Sequence, residues 1–377
     1  MVDTNAPART RPAKSVSAAS GCYAALDLGT NNCRLLIATP AGSGFRVVEA
    51  FSRIVRLGDG LSRTGRLDEA AMDRALAALR ICADKVERRK VTRIQAVATQ
   101  ACRSAENGAA FVERVERETG LKLRIISPRE EAQLSVAGCA SLLDRTSDAA
   151  LVVDVGGGST ELSWVDLKAR HGADGAGGAN AQRLPVGAWL SIPVGVVTLA
   201  ERFPEEHPAD EAWFRDMVEH VKSHISPFGH ADRFREVFEN DRAHLIGTSG
   251  AITSLAGMHL GLKRYERAKI DGLWLVRSDC DLAARKLRAL SPADRAAEPC
   301  IGPDRADLVL AGAAILEAVQ ELWPCSRVRV ADRGLREGLL LSLMAERQGR
   351  KGRSRRRRGR GGRATPAQAQ VAAAPAE

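Results

Sequence analysis

Apolar positions from Cys22 to Ile126 switch between a period of two and a period near 3.6, as alternating strands and helices require. Short runs rich in apolar and β-branched residues predict strands at Cys22–Leu28, Cys33–Thr39 and Gly44–Phe51. A helical period then covers Asp68–Arg89, followed by a strand at Thr92–Ala98, a helix at Gly108–Thr119 and a strand at Lys122–Ile126. The next helix announces its start. Ser127 is placed to cap it, Pro128 takes the first position and Glu130 the third, the arrangement of a capping box.

A strand, turn, strand pattern begins again at Ala149, and the Gly/Ala-rich stretch Lys168–Gln182 predicts a long flexible hairpin loop. Helices are predicted at Val194–Arg202, Ala209–His224, Ser249–Gly261, Asp279–Ala289, Arg305–Trp323 and Gly334–Arg347, with strands at Ala243–Ile246 and Arg327–Ala331. Residues 1–20 and 348–377 show no apolar period and are predicted to be disordered. A repeat organises the rest. Ala24-Ala25-Leu26-Asp27-Leu28-Gly29-Thr30-Asn31 and Leu151-Val152-Val153-Asp154-Val155-Gly156-Gly157-Gly158-Ser159-Thr160 lie 127 residues apart, each a buried strand ending in Asp-apolar-Gly and turning into another strand. Two similar α/β lobes are expected to face each other, the first built from 21–126 with 334–347 and the second from 127–333.

Composition narrows the chemistry. The net charge of +10 comes mainly from residues 350–363, which hold nine Arg or Lys and no acid, so ten minus nine leaves about +1 for the remainder. A basic nucleic-acid stripe on the body is therefore not expected, and polyanion or RNA contact is assigned to the tail, which is otherwise a solubilising extension. Eight cysteines without a C-x-x-C pair and seven histidines without H-E-x-x-H grouping argue against zinc and redox sites. Any metal must be held by oxygen. The first 20 residues lack the apolar core of a secretory signal, and the longest apolar run, Leu308–Leu316, is nine residues, too short for a bilayer, so a cytoplasmic protein is expected.

The two glycine turns carry the candidate site. Gly29 suits a tight turn that aims the N–H groups of Thr30, Asn31 and Asn32 at an anion, with Asp27 at the strand end able to hold Mg²⁺ through water; an ordinary hairpin is the alternative. Gly156, Gly157 and Gly158 cost more backbone entropy than a plain hairpin needs, and a closely approaching phosphate would account for them, with the hydroxyls of Ser159 and Thr160 as donors. Glu161, on the strand face opposite Leu162 and Trp164, points toward that turn or into solvent. Glu131 has no capping role and sits where a helix N-terminus keeps a carboxylate ionised, either as a base for water or as a solvated helix start. Gly247-Thr248-Ser249-Gly250 precedes a helix and is either a nucleotide or anion site or a simple strand-to-helix turn.

Taken in order, AALDLGTNNCRLLIA, AVATQACRSAENGAAF, IISPREEAQL, LVVDVGGGSTELSW, LPVGAWLSIPVGVVTLAERF, HLIGTSGAITSLAG and VADRGLREGLLL resemble the exopolyphosphatase / guanosine pentaphosphate phosphohydrolase (Ppx/GppA) family in its short two-domain form. The resemblance implies two ribonuclease-H-like lobes of the actin, Hsp70 and sugar kinase superfamily with the active site in the cleft between them. It implies Glu131 as the base that activates water, Asp154 and Glu161 as Mg²⁺-organising carboxylates, and Arg103, Asn31 and the Gly156–Ser159 loop as the grip on a phosphate chain. The implied activity is Mg²⁺-dependent release of orthophosphate from polyphosphate, with guanosine pentaphosphate as the alternative substrate, room for a monovalent cation such as K⁺, and a homodimer as a compatible assembly. Two further readings are a non-catalytic sensor and a kinase. The presence of Glu131, Asp154 and Glu161 argues against the first, and the paired glutamates suit water activation better than sugar phosphorylation.

Overall fold

The structure is a computed structural model and describes residues 21–42, 44–168, 186–205 and 209–346. The expected disordered N-terminus, nearly all of the expected long hairpin loop and the Arg-rich tail lie outside the described residues.

Two mixed sheets form the body. The first holds β1 (Cys22–Leu28), β2 (Asn32–Ala41), β3 (Gly44–Ile54), β4 (Val91–Ala98) and β5 (Leu123–Ile125) in the order β3-β2-β1-β4-β5. The second holds β6 (Ala149–Val155), β7 (Thr160–Asp166), β8 (Val186–Ile192), β9 (Ala243–Thr248), β10 (Trp274–Val276) and β11 (Arg327–Ala331) in the order β10-β11-β9-β6-β7-β8. In each, three consecutive antiparallel strands are extended on one side by parallel ones, which is the ribonuclease-H-like order, used twice, with β10 added antiparallel at the edge of the second sheet. The strands β8 and β10 were not among those predicted. The first follows the Gly/Ala-rich stretch and the second is three residues long, so neither offers a period to read.

The helices that position the site are α1 (Glu69–Arg88), α2 (Gln100–Ser104), α3 (Gly108–Thr119), α4 (Pro128–Cys139), α5 (Val196–Arg202), α6 (Glu211–Ile225), α7 (Gly250–His259), α8 (Arg277–Ala289), α9 (Val309–Leu322) and α10 (335–346). Their ends follow capping chemistry. Asp68 accepts from Ala71 N–H, Asp210 from Trp213 N–H and Ser249 from Ile252 N–H. Ser127 accepts from Glu130 N–H as predicted, but Glu130 does not complete the box, because its carboxylate forks onto Arg124 at 2.6 Å.

Strand alternation sends side chains to two cores per sheet. Ala24, Leu26 and Leu28 of β1 face α1 and α3, while Tyr23 and Ala25 face Leu335, Leu339 and Leu343 of α10. In β6, Leu151, Val153 and Val155 join the large core around α6, α8 and α9, while Ala150 and Val152 face Val136 and Cys139 of α4. Almost every residue of α9 is buried, consistent with its nearly unbroken apolar sequence. The segments joining the sheets cross at contact distance: a methyl on Gly138 would lie 1.9 Å from Gly334 O, and one on Gly338 would lie 2.1 Å from Leu134 O. All eight cysteines are free thiols, and only Cys22 is not buried. Among the described residues no helix is long and apolar enough to cross a membrane.

One buried group makes the second core acid-sensitive. His244 on β9 is fully buried, its Nε2 accepts the Asp144 N–H at 3.3 Å and its Nδ1 has no partner. Burial pushes its pKa from 6.5 down to about 4. A group depressed in the folded state contributes stability above its unfolded pKa and loses that contribution as pH falls toward the folded value. Urea unfolding of the wild type should therefore lose on the order of 3 kcal/mol between pH 7 and pH 4 through this residue alone. His244→Gln should lose correspondingly less over that range, and equal losses in the two proteins would remove His244 as the cause.

Candidate active site

The cleft between the sheets contains a cavity of about 320 Å³ lined by both glycine turns, by Glu131 and Glu161, and by the start of α10. Register places its carboxylates. Asp154 and Glu161 are direct cross-strand neighbours on β6 and β7, on the face that packs against α4. Ser135, one turn after Glu131 on α4, donates to Asp154 Oδ2, so one face of that helix brings Glu131 into the cleft and ties down Asp154. Asp27 shares the face of Tyr23 and Ala25, pairs in register with Arg34 on β2, and so meets α10.

Burial dominates the electrostatics. It pushes Asp27 up to about 6 against the pull of Arg34 and Arg336, and Glu161 up to about 7 with Asp154 adding to the rise. Asp154 is raised by burial despite Ser135. Glu131 is raised well above the carboxylate range by burial and then by Glu161, against the pull of Arg103. The expectation that the helix start keeps Glu131 ionised is thus overridden by desolvation and a like charge. A cation bound in the cleft would favour the ionised form of Glu131.

The turns meet each other as well as the cavity. A methyl on Gly157 would come within 3.0 Å of Thr30 Cβ and 3.1 Å of Asn31 N, and one on Gly195 within 2.5 Å of the Gly157 carbonyl. Close packing of backbone against backbone therefore requires small residues here, apart from any bound phosphate. The Thr30 and Asn31 carbonyls are taken by the N–H groups of Val55, Arg56 and Gly58. Asn31 is buried, and among the described residues its Oδ1 has no partner, a polar atom the fold leaves for something else.

Several predicted donors are already engaged. Ser159 and Ser191 both donate to Glu161 Oε1 at 2.8 Å, fixing that carboxylate. Thr160 is fully buried, donates to Val194 O at 2.7 Å and does not line the cavity, so it is a structural clamp and not a phosphate donor. Arg103 also lies off the cavity wall, with its guanidinium on Glu131 Oε2 at 3.0 Å, Ile126 O at 2.7 Å and Gln100 Oε1 at 2.6 Å. Of the third glycine element, Thr248, Ser249 and Gly250 line the cavity, while Gly247 is turned toward Ile252 within the core. Thr248 Oγ1 donates to Arg333 O, and Asn32 and Gly29 complete the first turn.

What the motifs did not reveal is the cationic wall. Arg34, Arg305 and Arg336 line the cavity, each half-buried, and none forms an ion pair or side-chain hydrogen bond among the described residues. Burial lowers the pKa of Arg305 and Arg336, and Arg34 lowers both further, so three mutually repelling charges face one space. Unpaired guanidinium groups beside buried carboxylates suit a ligand that brings both negative oxygens and a cation. Among the described residues no three acidic, His or Cys side chains converge as a preformed metal cage. Two carboxylates pushed toward protonation, Asp154 and Glu161, nevertheless fit a divalent cation that keeps most of its shell as water and phosphate oxygen.

Comparison with known proteins agrees with this geometry. Exopolyphosphatase 2 of Mycobacterium tuberculosis is 28% identical over 334 residues, spanning 85% of this chain and 98% of the relative. The crystal structure of the Aquifex aeolicus Ppx/GppA family member is 26% identical, covers 87% of this chain and 99% of its own, and superposes with a TM-score of 0.69. A crystal structure of an exopolyphosphatase-like protein is 30% identical, covers 86% and 98% of the two chains, and has a TM-score of 0.73. The model of the Ppx/GppA phosphatase family matches residues 36–347. With fold, cleft and relatives in agreement, the chain belongs to the Ppx/GppA phosphatase family and so to the enzymes that hydrolyse phosphoanhydride bonds.

Proposed function

We propose that the protein is an exopolyphosphatase that removes terminal orthophosphate from inorganic polyphosphate, using Glu131 as general base. The observation that carries this reading is the convergence, in one cleft, of buried Glu131 and Glu161 and half-buried Asp154 with the unpaired Arg34, Arg305 and Arg336. A linear polyanion needs several cations that no protein acid already holds, and the three arginines meet that need. The lobes 21–126 with 334–347 and 127–333 are taken as the two sides of the cleft.

In this reading the N–H groups of Thr30 and Asn31, with the Gly156–Ser159 turn, orient the terminal phosphate. The arginines hold the rest of the chain. Glu131 takes the proton from a water whose oxygen attacks the terminal phosphorus, and the shortened polyphosphate leaves on its bridging oxygen. Divalent-metal dependence goes with the family, and Mg²⁺ held by Asp154 and Glu161, with Asp27 nearby, would neutralise charge developing on the transferred phosphoryl group.

Phosphate release should be measured from polyphosphate and from guanosine pentaphosphate with one enzyme preparation. The expected result is a higher kcat/KM on polyphosphate. Release from guanosine pentaphosphate alone would overturn the substrate assignment while retaining the reaction class.

A further inference from the structure

Glu131 is positioned through Arg103, and Arg103 is itself positioned. Gln100, three residues earlier on α2, accepts from Arg103 Nη2 at 2.6 Å through Oε1 and donates to Ser104 Oγ at 2.8 Å through Nε2. Both ends of the amide are occupied, so its orientation is set. Its stem is set as well, because Gln100 Cγ lies only 3.0 Å from where a methyl on Gly158 would stand, packed over the second glycine turn. Arg103 then reaches Ile126 O at 2.7 Å, just before the Ser127 cap of α4, and Glu131 Oε2 at 3.0 Å.

We infer that Gln100 is a positioning residue for the hydrolytic reaction, acting through Arg103 to hold the Glu131 carboxylate in the cleft. An arginine has a long, rotamer-rich stem, and three separate acceptors fix this one: Gln100 Oε1, Ile126 O and Glu131 Oε2. Two of those acceptors are present whatever the substrate does. The Gln100 side chain also packs against the glycine turn of the second sheet, so it links the base to the loop that orients the phosphate. The sequence motif ATQACR drew attention to the arginine, whereas the glutamine supplies the acceptor that keeps it in place.

This inference rests on Glu131 being the base, and the test separates the two ideas. Gln100→Met keeps the stem and removes both hydrogen bonds, and Gln100→Glu restores an oxygen acceptor. Because a misplaced base costs rate steeply, Gln100→Met should lower kcat by roughly 10-fold to 100-fold with KM changed less than about 2-fold. Gln100→Glu should recover most of the loss. In a Glu131→Ala background Gln100→Met should cost nothing further, since residues acting as a unit are non-additive. An undiminished loss in that background, or a rise in KM at constant kcat, would overturn the inference. A readout independent of turnover is the nitrogen NMR of the Arg103 guanidinium, whose Nη signals should be resolved in the wild type and merge in Gln100→Met. Unchanged signals would equally overturn it. If the wild type releases no phosphate from polyphosphate, the substrate reading fails, and the NMR comparison still decides the role of Gln100 toward Arg103.

Discussion

Glu131→Gln should lower kcat for phosphate release by roughly 10²-fold to 10⁴-fold while leaving the fold intact. The size of the effect follows from the group removed: a general base is lost, and the amide that replaces it cannot take a proton from water. The fold should survive for a reason visible in the structure. Glu131 is 8% exposed, and burial and Glu161 both work against its charged form. An uncharged side chain of the same shape therefore relieves a desolvation cost, and its Oε1 can still accept from Arg103. Steady-state kinetics and thermal unfolding on one preparation check both halves. A kcat within about 3-fold of the wild type would remove Glu131 from the mechanism.

Removing divalent ions should abolish turnover, and adding Mg²⁺ should restore it. Asp154 and Glu161 are cross-strand neighbours held by Ser135, Ser159 and Ser191, so they cannot swing apart to reduce their repulsion. A dication between the protein and phosphate oxygens is the way this arrangement becomes fully ionised. With only two or three carboxylates available, Mg²⁺ alone should raise the melting temperature little. Mg²⁺ together with a polyphosphate should raise it more, as mass-action stabilisation of a ternary complex; at 100 times the dissociation constant this amounts to about 2.7 kcal/mol. Asp154→Asn should lose that extra shift. Full activity after exhaustive chelation, or an undiminished shift in the variant, would refute the assignment.

The parts of this fold that were legible in the sequence are those whose signal is local. Paired strand-turn-strand segments around Asp27 and Asp154, the Ser127 cap, and the facing of Glu161 opposite Leu162 and Trp164 all depend on neighbours a few residues away. The cationic wall was not legible. Arg34, Arg305 and Arg336 come from β2, the turn before α9 and the start of α10, and an isolated arginine in any of those places looks like a solvated one. The glycines of the second turn stand out in the sequence, and the structure adds a packing reason for two of them, because a methyl on Gly157 or Gly158 would crowd Thr30. In the sequence Arg103 reads as a grip on phosphate because, although Gln100 is three residues earlier on the same helix, its other side-chain partner Glu131 is 28 residues away on α4. Thr160 was misread for a similar reason: the carbonyl that takes its hydroxyl lies 34 residues downstream.

The two glycine crossings between the connecting segments act as the rivet of a pair of scissors. With Gly138 set against Gly334 O and Gly338 against Leu134 O, there is no side chain at either point to yield when one sheet turns against the other. Among the described residues the far rim is joined by replaceable fastenings, Arg56 to Asp307 and to Asp304 O and Glu201 to Ser62 and Gly60 N–H. Any swivel about these crossings would move Thr30 and Gly157, which pack against each other here, farther than residues near the pivot. A bulky residue at position 138 would therefore jam the instrument at its axle and leave every cutting edge in place.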